Sequence, residues 1–257
     1  MTGAERRADP PGPPVEIVRT CLRDGGGGSP TAVVDEAEFA GCSARRQGRA
    51  YAAFDPGPVE LRTPGATERD LVLPALGIPR GAAAPGIRVA SVGRPRLLVP
   101  VRTRSALRAV SPDFGRLRDA CDRLRLLGCY VYSVPTSEGR AAVRMSAPSI
   151  GVDEDIANAN STACLAAHLA GRGPGGLAVD MGGSLGSPST ITATVRQGPA
   201  GPLVRLGGTA EVTDGIRLPA PRGGPAAPGA LRSRRRPGAA ARRAAAPSPR
   251  RACCGPE

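Results

Sequence analysis

The residues best suited to chemistry lie in one stretch, Gly151-Val152-Asp153-Glu154-Asp155 followed by Asn158-Ala159-Asn160-Ser161-Thr162. Three acids occupy a loop immediately before a helix rich in small residues. The first N–H groups of a helix have no partner inside it and form the positive end of its dipole. They can therefore hold a carboxylate that belongs to the protein or to a ligand. A carboxylate in a dry setting beside them can also move a proton. The plainer role for the same residues is structural, with Asp155 or Asn160 capping the helix.

Other chemistries have less to draw on. His168 is the single histidine, so a Ser-His-Asp triad or a histidine-based zinc site lacks its parts. Seven cysteines without regular spacing read as reduced thiols in a cytoplasmic setting rather than a disulfide framework. Cys253 and Cys254 are adjacent and lack the C-x-x-C spacing of a metal knuckle, and no metal site is expected. Gly25–Gly28 invites a phosphate-loop reading. No Lys-Ser/Thr follows it, however, and the next segment reads as a strand, so the run is expected to be a turn.

Elements on both sides must position the acid loop. Residues 113–127 predict the clearest helix, because Leu117, Ala120, Cys121, Leu124 and Leu127 share one face. Ser111-Pro112-Asp113 starts it and Gly128 stops it. Residues 129–134 and 141–145 read as a strand pair joined around Glu138-Gly139, and residues 146–156 as loop. The small-residue helix runs from about 159 to 170, with His168 on its face and Gly171 as its stop. Strands are expected over 177–181, 190–196, 203–206 and 209–212, with glycine or proline between them. Upstream, residues 15–19, 31–34, 59–63, 87–92 and 96–101 read as strands, and 68–76 as a helix ended by Gly77. Between residues 36 and 54 a helix through Arg45, Arg46, Gln47, Ala50 and Ala53 competes with an interruption at Gly48. A few helices amid many short strands give an α+β class.

Composition bounds the whole. A length of 257 residues allows one large domain or two small ones. With 35 glycines and 28 prolines, about a quarter of the chain is at the edge of disorder-prone composition. The excess is uneven. Residues 1–14 contain no Leu, Ile, Val or Phe, and residues 218–257 contain only Leu218 and Leu231. The middle therefore carries the core, and both ends are expected to be disordered. Charge divides likewise: the formal net charge is +13, every basic residue is arginine, and the last forty or so residues hold one acid, Glu257. Arg234 to Arg236, Arg242-Arg243 and Arg250-Arg251 would suit phosphates of nucleic acid or an acidic surface. The tail has no aromatics for base stacking, so nucleic acid is not the expected partner. No apolar run approaches a membrane span of roughly 20 residues, and Met1 to Pro14 lack the apolar region of a secretory signal.

Residues 150–160 are similar to the G-V-x-E-D-P-x-T-G-S/N motif of the PhzF family of phenazine-biosynthesis-like isomerases. Arg144-Met145-Ser146-Ala147-Pro148 resembles that family's R-x-F-A-P, and residues 180–189 resemble Q-G-x-x-L/M-G-R-P-S. Residues 206–215 look like V-x-G-x-A-x-x-V-x-x-G, residues 90–101 with Ser111-Pro112-Asp113 like G-x-P-x-L-L-V-P-V … P-D, and residues 26–34 like G-G-N-P-x-A-V-V. Six motifs stand in the family's order.

The resemblance implies a diaminopimelate-epimerase-like fold. Two similar domains each wrap a sheet around a central helix: a shortened first domain over residues 15–95 and a second over 96–218. It implies a biosynthetic isomerase without cofactor, in which a carboxylate moves a proton on a small hydroxy- or amino-acid-like metabolite. Asp155 is the catalytic candidate, Asn160, Ala159, Gly41 and Cys42 the substrate-binding candidates, and the general base is unassigned. The expected partner is that small molecule, with a homodimer open as the assembly and no membrane. The departures are specific. The family's S-E-T-x-F segment, which carries its catalytic glutamate, has no counterpart. In Phe39-Ala40-Gly41-Cys42, cysteine stands where F-A-G-H-P-T has histidine. Ile156, Asn158, Ala159, Ser29, Met181 and Ser187 replace family Pro, Thr, Gly, Asn, Gln and Arg. A non-catalytic relative, or a binder acting through its basic tail, is the competing expectation.

Overall fold

The β-rich pattern resolves into strands that nearly all find partners in one sheet. The structure, a computed structural model, describes residues 14–34, 49–79, 81–171, 175–199 and 201–217. In chain order the strands are β1 (Pro14–Leu22), β2 (Ser29–Val34), β3 (Arg49–Phe54), β4 (Glu60–Arg62), β5 (Arg88–Val92), β6 (Arg94–Val101), β7 (Cys129–Ser133), β8 (Arg140–Ala147), β9 (Val152–Asp155), β10 (Gly176–Met181), β11 (Ser189–Gly198) and β12 (Gly201–Arg217). The helices are α1 (Ala66–Ala75), α2 (Arg104–Arg108), α3 (Phe114–Leu124) and α4 (Ala159–Leu169). Among the described residues the sheet runs β2-β1-β12-β11-β10-β8-β7-β6-β5-β4, with β3 added on β12 and β9 on β8. Most neighbours are antiparallel, while β6–β7 and β8–β10 are parallel.

Alternation along the central strands builds two cores. Leu98, Tyr130, Tyr132, Ala141, Val143 and Met145 face one side, where α4 lies. Leu97, Val99, Val101, Cys129 and Val131 face the other, under α1 and α3. This is the period-two pleat at work. Eight of the eleven residues of α4, Ser161 to His168, are buried. The helix touches β4 and β5 toward one end of the strand order and β10, β11 and β12 toward the other, so the sheet curls around it. Alanine, serine and cysteine let the strands come close; a bulkier helix would force them apart. The α+β class and the epimerase-like wrapping of a sheet around a central helix follow from this packing.

The expected turn at the glycine run is a tight hairpin. Arg23 and Gly26 exchange backbone bonds at 3.0 and 2.9 Å, and Asp24 and Gly25 between them have φ of 49° and 80°. Two left-handed residues give the twist that antiparallel strands favour. The other elements follow the periodicity with five differences. Residues 49–54 form a strand and not the end of a helix, because they pair with residues 206–211 of β12 and long-range pairing overrides local propensity. β9 lies inside the expected loop, held against β8. α2 was not foreseen; it is one short turn capped by Thr103, whose side chain accepts from the Ala106 N–H at 3.0 Å. α3 ends at Leu124 because Arg125 turns left-handed at φ 55°, three residues before Gly128. Finally, the strands expected over 203–206 and 209–212 are one. Gly207 and Gly208 continue β12, and their missing side chains make room for the Tyr51 ring and for Cys21 of β1.

Candidate functional site

The acid loop meets α4 through a small hydrogen-bonded relay. Asp155 ends β9; its Oδ2 accepts from Asn158 Nδ2 at 3.0 Å and its Oδ1 from the Ala157 N–H at 3.4 Å. Asn158 is the N-cap, its Oδ1 accepting from the Ser161 N–H at 3.0 Å. The cap expected at Asp155 or Asn160 therefore falls on Asn158, and Asp155 orients it. The extended backbone of Asn158 is what permits this, since a residue already inside the helix could not reach back. Asn160 lies in the first turn instead, exposed. Thr162 closes the first helical bond, its N–H reaching the Asn158 carbonyl at 3.0 Å. The N–H groups of Ala159 and Asn160 belong to the turn whose donors a helix cannot use itself.

The helix start is tied to the sheet from within. Thr162 Oγ1 donates to the Asn158 carbonyl at 2.9 Å and pairs with the Tyr130 hydroxyl at 2.7 Å. Burial pushes the Tyr130 hydroxyl far above its ordinary range, so it stays a neutral anchor. A second acid of the loop, Glu154, has partners as well. Arg144 donates to Glu154 Oε2 through Nε at 3.1 Å and Nη2 at 2.7 Å, and Ser184 Oγ donates to Glu154 Oε1. Glu154 and Arg144 thus fix the loop, a role that the sequence alone did not reveal. Two charges of opposite sign ten residues apart on an expected strand and loop were the available signal.

Three motif segments meet beside this loop. Ser189 Oγ donates to the Ile156 carbonyl at 2.6 Å. Ser187 Oγ donates to the Gly28 carbonyl at 2.8 Å, and the Gly28 N–H donates to the Pro188 carbonyl at 3.0 Å. A side chain on Gly27 would overlap that same carbonyl, so the approach depends on glycine. Residues 26–34, 151–160 and 180–189, distant in sequence, are in this way neighbours around one helix end. Gly41 and Cys42 lie outside the described residues. An apolar cleft of about 360 Å³, lined by Tyr132, Val134, His168, Leu169 and Gln197 among others, opens near the opposite end of α4. Among the described residues neither an acid nor an arginine lines it. Among the described residues no group of three or more His, Cys, Asp and Glu could hold a metal ion.

A sheet curled about one helix, with an acid-bearing loop at that helix's start, defines an epimerase-like α+β protein. The chain belongs to the phenazine biosynthesis-like family, PhzC-PhzF, whose sequence model matches residues 59–215. An uncharacterised isomerase of Deinococcus radiodurans is 30% identical over 135 residues, covering 49% of this chain and 43% of that protein. The uncharacterised isomerase YddE of Escherichia coli K12 is 26% identical over 118 residues, covering 45% and 38%. Each match spans less than half the length of the relative. Among solved structures, the Bacillus anthracis phenazine biosynthesis protein of the PhzF family superimposes with a TM-score of 0.64 at 10% identity, over 80% of this chain and 98% of that one. A predicted epimerase from Pseudomonas aeruginosa gives 0.51 at 28% identity, over 65% and 58%. No described helix is long and apolar enough to cross a membrane.

Proposed function

We propose that this chain is a cofactor-independent isomerase that moves a proton on a small hydroxy- or amino-acid-like metabolite at the start of α4. The observation that carries this reading is the meeting of residues 26–34, 151–160 and 180–189 beside the loop in which Asp155 stands, joined at Gly28, Ile156, Ser187 and Ser189. The N–H groups of Ala159 and Asn160 would hold a substrate carboxylate or the negative charge that develops as the proton leaves. Asp155 would stand at the reacting carbon's side of that anion, with Gly41 and Cys42 completing the substrate contacts. The shortened first domain over residues 15–95, the second domain over 96–218 and the cytoplasmic setting belong to the same reading.

A second reading rests on one specific observation. Both Asp155 oxygens already accept hydrogen bonds from the chain, as in a carboxylate that only holds a helix cap. On that reading the protein is a non-catalytic relative. Incubation with small hydroxy and amino acids in heavy water separates the two. The isomerase reading expects substrate-dependent deuterium uptake by mass spectrometry, lost in Asp155→Ala. Asp155→Asn, which keeps an oxygen for the Ala157 N–H, should lose it equally, because the charge and not the cap does the chemistry. Absence of uptake across such substrates, or full uptake in Asp155→Asn, would sink the assignment.

A further inference from the structure

On the face of the sheet turned away from α4, one carboxylate is crowded by arginines. β8 alternates Ala141, Val143 and Met145 toward the α4 core, which leaves Arg140, Ala142 and Arg144 on the other face, and Asp180 of β10 stands opposite Ala142. Asp180 is only 5% exposed. Arg140 grips it with two bonds, Nε to Oδ2 at 2.8 Å and Nη2 to Oδ1 at 2.6 Å. Thr190 Oγ1 donates to Oδ1 at 3.0 Å and Arg104 Nη2 to Oδ2 at 3.3 Å, while Arg23 Nη2 lies 3.8 Å from Oδ2. A carboxylate has about four lone-pair sites. Asp180 is full.

Among the described residues, Arg23, Arg104 and Arg108 are not. Each guanidinium has about five N–H donors. Arg104 spends one on Asp180, and Arg108 spends one on Ser105 Oγ at 3.3 Å. Arg23 contributes ion pairs at 3.8 Å to Asp180 and 3.7 Å to the exposed Asp24. Glu138, also exposed, acts with Asp24 on Arg140 from the rim. A cleft of about 620 Å³ opens over this group, lined by Arg23, Arg104, Arg108, Arg144, Asp180 and Ser184 among others. Three guanidiniums with donors to spare, those of Arg23, Arg104 and Arg108, therefore face a concave space beside the saturated Asp180, while Arg144 is spent on Glu154 and the Val110 carbonyl.

We propose that this cleft binds a phosphate group, either free or as a monoester on a small metabolite. Phosphate carries close to two negative charges and three or more accepting oxygens, so it can engage several guanidinium forks at once. A lone carboxylate can satisfy one fork. The cleft meets the acid loop at Arg144 and Ser184, which hold Glu154, whereas Asp155 bonds to Asn158 at the start of α4, and phosphate occupancy is measured without any proton transfer.

The test is calorimetric titration of the full chain with inorganic phosphate, glycerol 3-phosphate and succinate at fixed ionic strength. Saturable one-to-one phosphate binding is expected, and Arg104→Gln and Arg23→Gln should each weaken it by about tenfold. Both side chains are partly exposed, at 42% and 33%, so the variants should melt like the parent without ligand. Tighter glycerol 3-phosphate assigns a phosphorylated metabolite, and tighter inorganic phosphate assigns the free ion. Binding untouched by both substitutions would place the anion on other arginines and overturn the proposal. So would succinate binding as tight as phosphate, or a titration that never saturates.

Discussion

At the scale of single residues, the same charge has different work on the two faces of the sheet. Asp155 and Asn158 were both visible in the sequence as polar residues before a small-residue helix. Their division of labour was not, because capping depends on backbone angles that spacing does not encode. Asn158→Ala should cost about 1 kcal/mol in urea unfolding. Asp180 differs, being a buried carboxylate whose importance no motif announced. Burial alone would push it up, but hydrogen bonds from Arg140 and Thr190 outweigh burial and hold it below its ordinary value of 3.8. The unfolded chain then takes up the proton first as pH falls, so this stabilisation is complete above that ordinary value and is lost on acidification through the lower folded one. Asp180→Asn should cost about 2 kcal/mol at neutral pH, and the difference from the parent should shrink in that acid window. Urea melts at stepped pH measure both. Arg96 makes the opposite case. It is 1% exposed, bonded to Cys164 Sγ at 3.1 Å and the Arg94 carbonyl at 2.9 Å, with Nε unpartnered among the described residues. Arg96→Met should leave thermal stability equal or higher, since removing an imperfectly paired buried charge relieves its desolvation.

At the scale of elements, legibility followed periodicity. α3 showed its face through Leu117, Ala120 and Cys121, and all three are buried. Leu117→Ala should cost about 3 kcal/mol, read as a shift in the denaturant midpoint. α4 was legible for another reason: bounded by Asn158 and Gly171, its small residues had only a helix to form. Short elements escaped. β9 and α2 span four and five residues, too few for any repeat to emerge, and β3 exists because β12 is beside it. The pairing of Tyr130 with Thr162 couples α4 to β7. A double-mutant cycle between Tyr130→Phe and Thr162→Val should return a coupling of about 1 kcal/mol, whereas additive losses would mean that the two elements are held by packing alone.

At the scale of the whole molecule, the class was legible and the order of strands was not. Local patterns announce strands, but nothing in residues 14–22 says that their neighbour is the last strand described. Pro14 pairs with Arg217 and Val15 with Ile216, on the far side of the chain from β2. Depth within the sheet should grade its dynamics. β7 is buried at every position, whereas β2 lies at the end of the strand order. Hydrogen exchange followed by mass spectrometry should find residues 129–133 slowest and residues 29–34 among the fastest of the strands. The β1–β12 pairing also sets a schedule for synthesis. A ribosome adding 5–20 residues per second leaves roughly 10–40 s between the emergence of these partners. Throughout that interval the β1 edge of the first hairpin is bare, open to any neighbouring nascent chain. The growing chain is therefore exposed to mispairing at β1 until β12 emerges.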